Sequence, residues 1–255
     1  MATGLIDIED IRMRYKRASR GIFIIKQADL FYGSAVFLKI KLDALSTEKY
    51  ALAMDSNISN QVLNIENTNI QVTLEWYYKR DVKQITLNSH HILYIFTEIP
   101  GLAVILLKNQ FGSDLWNKKA YCFNVSSVSI GDSLSFFQYS NEESNDMRYK
   151  LKQTCEGRVR SIEAPYYFSH TSDTYRGSII INNESRLVGI NLGNNTSNSS
   201  AAALSDIAIH LNNVKDLIRE QLPNLASPED DSNIDSFSQV LSSLSGRNSN
   251  PVNDS

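Results

Sequence analysis

Short apolar runs separated by polar turns dominate most of the chain. They include Ile22–Ile25, Ala35–Leu42, Lys49–Met54, Gln61–Ile65 and Ile70–Tyr78, then Ile92–Phe96, Leu102–Leu107 and Lys119–Phe123, and finally Gly157–Ile162, Ser178–Ile181 and Arg186–Leu192. Gln71-Val72-Thr73-Leu74-Glu75-Trp76 alternates polar and apolar positions, the period of a strand with one face in a core. Ile, Val, Phe and Tyr prevail in these runs, and such side chains suit a pleated, half-buried surface. Many short strands of this kind predict an all-β sandwich or barrel. No self-similarity at a period of about 40 residues is present, which argues against a propeller.

One helical pattern comes late. From Ser205 to Leu222 the apolar positions are Ile207, Ile209, Leu211, Val214, Leu217 and Ile218, and the last three keep strict helical spacing. Ser205 or Asp206 suits the N-cap, and Pro223 marks the stop. Asn194 to Ser200 reads as a loop. Residues 226–255 are rich in Ser, Asn and Asp and predict a disordered tail, with a short apolar island at Phe237 to Leu244. Residues 1–20 form a lead-in. Its Arg12, Arg14, Lys16, Arg17 and Arg20 read as a solvated face, with a docking patch for an acidic partner as the alternative.

Composition narrows the classes. The chain has 255 residues, 42% of them hydrophobic, enough for a sizeable core. A net charge of −3 gives no overall field toward nucleic acid or an anionic membrane. No apolar run reaches spanning length. The N-terminus lacks the apolar core of a secretory signal, so an intracellular setting, cytoplasm or nucleus, is expected. In that setting Cys122 and Cys155 are expected as reduced thiols. Two isolated cysteines do not make a zinc site, and no Gly-rich phosphate loop is present, so neither metal nor cofactor is expected. Trp76, Tyr77 and Tyr78 beside Lys79 and Arg80 read as cover for a barrel end, and direct nucleic-acid contact is not expected.

Three segments carry a likeness. Gly33-Ser34-Ala35-Val36-Phe37-Leu38 is similar to a Gly-Ser/Thr-Gly-Phe-Leu strand, with Ala35 at the second glycine. Gly101-Leu102-Ala103-Val104-Ile105-Leu106-Leu107 is similar to a Leu-Asp-hydrophobic-Ala-Leu-Leu strand. Asp173-Thr174-Tyr175-Arg176-Gly177-Ser178-Ile179, followed by Arg186-Leu187-Val188-Gly189-Ile190, is similar to a Gly-x-Ser-Gly-Ser-Pro-Val hairpin running into Val-Gly-Ile. In this order, across roughly residues 20–222, they resemble the chymotrypsin-fold serine proteases. The resemblance implies a double six-stranded, trypsin-like β-barrel with a C-terminal helix and a disordered tail. The two barrels would span about 21–110 and 111–225, one pseudoprotease domain over 21–225.

The resemblance also places the chemistry. A serine triad needs a nucleophile, a histidine base and an orienting carboxylate. Their positions match Arg176, Ser56 and Ala103. A guanidinium is always charged and offers no usable lone pair. No histidine lies between Met1 and Ser89, so a one-residue shift supplies none. Thr174 stands where the oxyanion-hole glycine belongs. Non-catalytic work is therefore expected, as a protein-interaction or scaffold subunit of a larger intracellular complex. Its vestigial cleft would comprise Arg176, His170, Asp173, Asn191, Leu192 and Gly193, and Arg176 would pair with Asp173 or with a partner's acidic segment. One alternative is a peptide-binding module that adds a strand along Asn191-Leu192-Gly193. The other is a hydrolase with a relocated nucleophile, Ser178 or Cys155 with His170. His90, His91 and His210 read as packing or surface residues.

Overall fold

The structure is a computed structural model that describes residues 8–28, 30–41, 48–62, 71–140, 150–163, 165–172, 174–194 and 206–221. Helix α1 (Ile8–Gly21) leads into β1 (Ile22–Gln27), β2 (Leu30–Lys41) and β3 (Glu48–Asp55). Then come α2 (Ser56–Val62), β4 (Gln71–Tyr78) and β5 (Asp81–Asn88). A 3-10 turn, Ser89–His91, joins β5 to β6 (Ile92–Phe96), which is followed by β7 (Leu102–Leu107), α3 (Asn109–Asn117) and β8 (Phe123–Asn124). The second half holds β9 (Ser133–Ser140), β10 (Lys150–Glu163), β11 (Tyr167–His170), β12 (Ile179–Asn182), β13 (Leu187–Asn194), β14 (Asp206–His210) and α4 (Leu211–Gln221).

The last six strands close into a barrel in the order β10-β11-β14-β13-β12-β9. The first half departs from the expected six-stranded barrel. It is one eight-stranded sheet, β5-β4-β1-β2-β3-β7-β6, with β8 beside β2. Edge strands β5 and β6 are joined by the 3-10 turn, whose start is capped by the Asn88 side chain, and no ladder between them is described. The sheet still curls around one apolar face: Leu87 of β5 and Ile92 and Ile95 of β6 share a core with Phe23, Phe37 and Trp76.

Alternation sorts the central strands between two cores. Phe23 and Ile25 of β1 point inside the curled sheet, and Ile22 and Ile24 point outward against the closed barrel. β2, β3 and β7 do the same, so Leu102, Val104 and Leu106 join Phe137, Ile179, Ile190 and Ile209 in the interface core. This double burial is why Ile22–Ile25 and Leu102–Leu107 read as continuous apolar runs. Burying each of these large side chains contributes roughly 1.5–3 kcal/mol. A third core, around Phe136, Phe168 and Val188, fills the closed barrel.

Two expected elements take a different form. Asp206–His210, read as the start of a helix, is strand β14, and the helix begins only at Leu211. Pairing decides this segment: Phe168 faces Ala208 on one side and Asn191 faces it on the other, which closes the barrel. Val214 and Ile218 do keep a helical face, buried in the interface core with Leu217 packed on it. From Ile8 the lead-in is helix α1, and not all its charges are solvated. Arg14 is buried and donates from Nη1 to Ser135 Oγ at 2.6 Å, while the Tyr15 hydroxyl donates to Leu151 O at 2.6 Å. The loop at 194–200 is described only at its first residue, and the tail 226–255 lies outside the described residues.

Candidate functional site

The cleft between the sheet and the barrel is built by three turns. At the end of β3 the chain passes from strand to helix, and Asp55 marks the change. Its Oδ1 accepts from the Asn57 backbone N–H at 2.8 Å, a helix-start contact typical of an aspartate. Ser56 lies next, its N–H donating to Gly101 O at 3.1 Å. The segment before β12 carries Thr174 to Gly177, and Gly177 takes a φ of +80°, a backbone region that favours glycine. The end of β13 carries Asn191 to Gly193.

Asn191 fixes the second turn. It is fully buried, and its Nδ2 donates to Thr174 O at 3.2 Å and Tyr175 O at 3.0 Å. Its Oδ1 lies 3.0 Å from His170 Nε2, so the imidazole holds the amide in place. The Gly177 N–H donates to Asn191 O at 2.8 Å, and the Asn191 N–H donates to Ser178 O at 2.9 Å. These bonds aim the Arg176 side chain across the cleft.

Arg176 there meets Asp55, 121 positions away. Nε donates to Oδ2 at 2.5 Å and Nη2 to Oδ1 at 3.2 Å, a two-pronged ion pair. The Asp55 side chain is 4% exposed and the Arg176 side chain 45%. Nη1 also reaches Leu192 O at 3.4 Å. Asp55, one position before Ser56, is thus the residue that faces Arg176. Ala103 pairs with Met54 and turns its methyl into the core of the first sheet.

The pair separates two hollows, and Arg176 lines both. One, of about 460 Å³, runs along Gly101, Tyr167, Leu192, Gly193 and Glu163. The other, of about 340 Å³, is walled by Phe31, Tyr32, Ile58, Tyr139 and Tyr175. Burial holds the Tyr139 phenol well above its ordinary range, so it stays neutral. Tyr175 is 71% exposed and does not fill the cleft.

The structure therefore brings Arg176, Leu192 and Gly193 to the lining of one cleft, with Ser56 bonded to its wall through Gly101 O and with Asn191 and His170 buried behind it. Asp173 lies outside the described residues, so its expected pairing with Arg176 is not described. Ser178 is fully buried, with its hydroxyl near Gln138 Oε1 (2.9 Å), Tyr175 O (2.8 Å) and Thr174 Oγ1 (3.2 Å). Cys155 is half-buried against the barrel core. Sequence reasoning missed Asp55. The available signal was a lone acid closing the apolar run Tyr50–Met54. Among the described residues no His, Cys, Asp and Glu group has the makings of a metal site, and no helix is long and apolar enough to cross a membrane.

No protein-family model matches the chain, and no curated protein matches its sequence. Solved structures do. The chain is similar to neuropsin, a serine protease expressed in the limbic system of mouse brain. That match covers 81% of this chain and 96% of that one at 9% identity, with a TM-score of 0.50. It is also similar to the HtrA-type protease AlgW with decapeptide, over 82% of this chain and 67% of that one at 11% identity, with a TM-score of 0.47. The neuropsin likeness shows the fold: the chain has the trypsin-like, mostly β architecture with a C-terminal helix.

Proposed function

We propose that this trypsin-like chain is a non-catalytic protein-interaction subunit that contributes to assembly of a larger intracellular complex. The observation that carries the reading is the Asp55–Arg176 ion pair at the centre of the cleft. The resemblance puts the nucleophile at Arg176, and the residue facing it is a carboxylate rather than an imidazole. A cation held by an anion cannot attack a carbonyl, and a carboxylate held by a guanidinium makes a poor general base. Losing the serine or the histidine of a triad costs nearly as much rate as losing all three members.

A second reading is peptide binding. The observation that favours it is the hollow along Leu192 and Gly193, where a strand could be added without any triad. Gly193 has a φ of +82°, and the register with β14 shifts between Asn191 and Gly193, which bends this edge toward Arg176. In the scaffold reading the ion pair closes the middle of the cleft. In the peptide reading the Nη1 and Nη2 edge of Arg176 takes an acidic side chain or a C-terminal carboxylate.

The test is activity-based labelling of the full chain with a fluorophosphonate probe, alongside casein digestion. The expected result is neither labelling nor cleavage. Labelling that disappears in Ser178→Ala would favour the hydrolase with a relocated nucleophile instead.

A further inference from the structure

The last turn of α1, the β4–β5 turn and the segment after α3 converge at one end of the first sheet. Arg20 sits at the junction. Its guanidinium carbon lies 5.1 Å from the centre of the Tyr78 ring, and its Nε donates to Lys119 O at 2.9 Å. The Tyr121 N–H donates to Arg20 O at 2.9 Å, and Arg17 lies 5.6 Å over the Tyr121 ring. Lys79 Nζ stands 5.4 Å from the Tyr78 ring centre. Arg80 and Lys118 are exposed beside their neighbours in sequence. Six cations thus share one surface. Among the described residues none of the six is paired with a carboxylate.

Backbone strain marks the same place. Lys79, Arg80 and Lys119 have φ values of 49°, 71° and 70°. A two-residue hairpin turn with positive φ at both positions prefers Asn-Gly, and here it holds Lys-Arg. Of the five non-glycine residues with positive φ among those described, three are cations on this surface. Such strain persists only where the surrounding structure enforces it and clusters at binding and catalytic sites, and crowded like charges add to its cost.

We propose that this surface is a docking site for an acidic, carboxylate-rich protein segment. Two observations favour that class over nucleic acid. The Tyr78 and Tyr121 rings already carry cations, and a base-stacking platform needs open faces. The chain has 28 acidic against 25 basic side chains, so its overall charge offers a long polyanion no attraction beyond the patch, whereas a short acidic segment ends within it. None of the six residues lines the cleft, so the inference stands apart from the cleft reading.

The experiment is fluorescence anisotropy of the full chain with a labelled oligo-glutamate peptide at low salt, with labelled oligo-thymidylate and phosphatidylserine vesicles as competitors. Saturable peptide binding is expected, weakened about tenfold by Lys79→Glu with Arg80→Glu and Lys118→Glu, and little changed by Arg158→Glu on the closed barrel. Lys79→Asn with Arg80→Gly relieves the turn, so it should raise Tm while weakening the peptide. Tighter binding of the oligonucleotide or the vesicles, indifference to the charge reversals, or a Tm lowered by Asn-Gly would each overturn the proposal.

Discussion

The curled sheet encloses twenty clustered, buried apolar residues among those described, and the closed barrel encloses eight. Both halves bury polar groups, Ser34, Lys49, Asp55, Ser59 and Glu75 in the first and Ser135, Ser169, His170, Ser178 and Asn191 in the second, but the barrel sets them against a smaller apolar core. The difference separates two kinds of order. Apolar burial is non-directional and holds the sheet together without fixing any one turn. Hydrogen bonds from Asn191 fix one particular turn, the one that carries Arg176. The sheet supplies a buried acid at the end of a strand, and the barrel supplies a cation aimed at it.

The largest expected effect lies in the sheet. Phe37 is fully buried, with ring centres 5.9 Å from Phe23 and 5.4 Å from Tyr50. Phe37→Ala should cost about 3–5 kcal/mol in urea denaturation, through lost transfer energy and a cavity. A cost below about 1 kcal/mol would mean the sheet is not held by this core.

In the barrel, Asn191→Leu removes the side-chain donor to Thr174 O and the partner of His170 Nε2, while Tyr175 O keeps the Ser178 N–H and hydroxyl. Each buried group left unsatisfied costs about 1–3 kcal/mol. Hydrogen exchange should rise at 174–178 and stay unchanged in β4. Uniform loss of protection would erase the contrast between the halves.

Acid should strike the barrel first. Burial lowers the His210 pKa, against a raising contribution from the Ser126 backbone and with Lys215 adding to the lowering. The unfolded chain therefore binds the proton more readily. Stability is full above the unfolded value near 6.5 and falls as pH drops below it. His91, in the first half, is also lowered, by burial first, then by His90 and Lys108, opposed by Asp114, but it is less buried. Melts from about pH 7.5 to about 5.5 should lose Tm, and His210→Gln should remove more of that loss than His91→Gln. The reverse ranking would put the weak point in the sheet.

The smallest effect is chemical. Burial pushes the Cys122 thiol up to about 12, countered slightly by Lys39 and aided by Glu48. Iodoacetamide near neutral pH should leave Cys122 unmodified in the native chain. Its alkylation ahead of Cys155, read by mass spectrometry, would show an open core.

Strands buried on two faces were legible, because Ile22–Ile25, Ile92–Phe96 and Leu102–Leu107 are apolar without interruption. β5 was not, since Asp81-Val82-Lys83-Gln84 is an exposed edge whose order comes from pairing with β4. β14 was misread because short apolar spacing does not separate helix from strand until a neighbour pairs with it. At the site, Arg176, Ser56 and the Asn191–Gly193 edge were legible from motif order. Asp55 was not, because only tertiary structure brings it to a cation 121 positions on.

The double-mutant cycle on Asp55 and Arg176 tests most directly whether an ion pair occupies the centre of the cleft. Asp55→Asn, Arg176→Gln and the double variant would be unfolded in urea. The buried carboxylate and half-exposed guanidinium should couple by about 1–3 kcal/mol, below the value for a fully buried pair. Additive effects, with coupling within about 0.3 kcal/mol of zero, would mean that Arg176 is not held by Asp55 and that the cleft stands open.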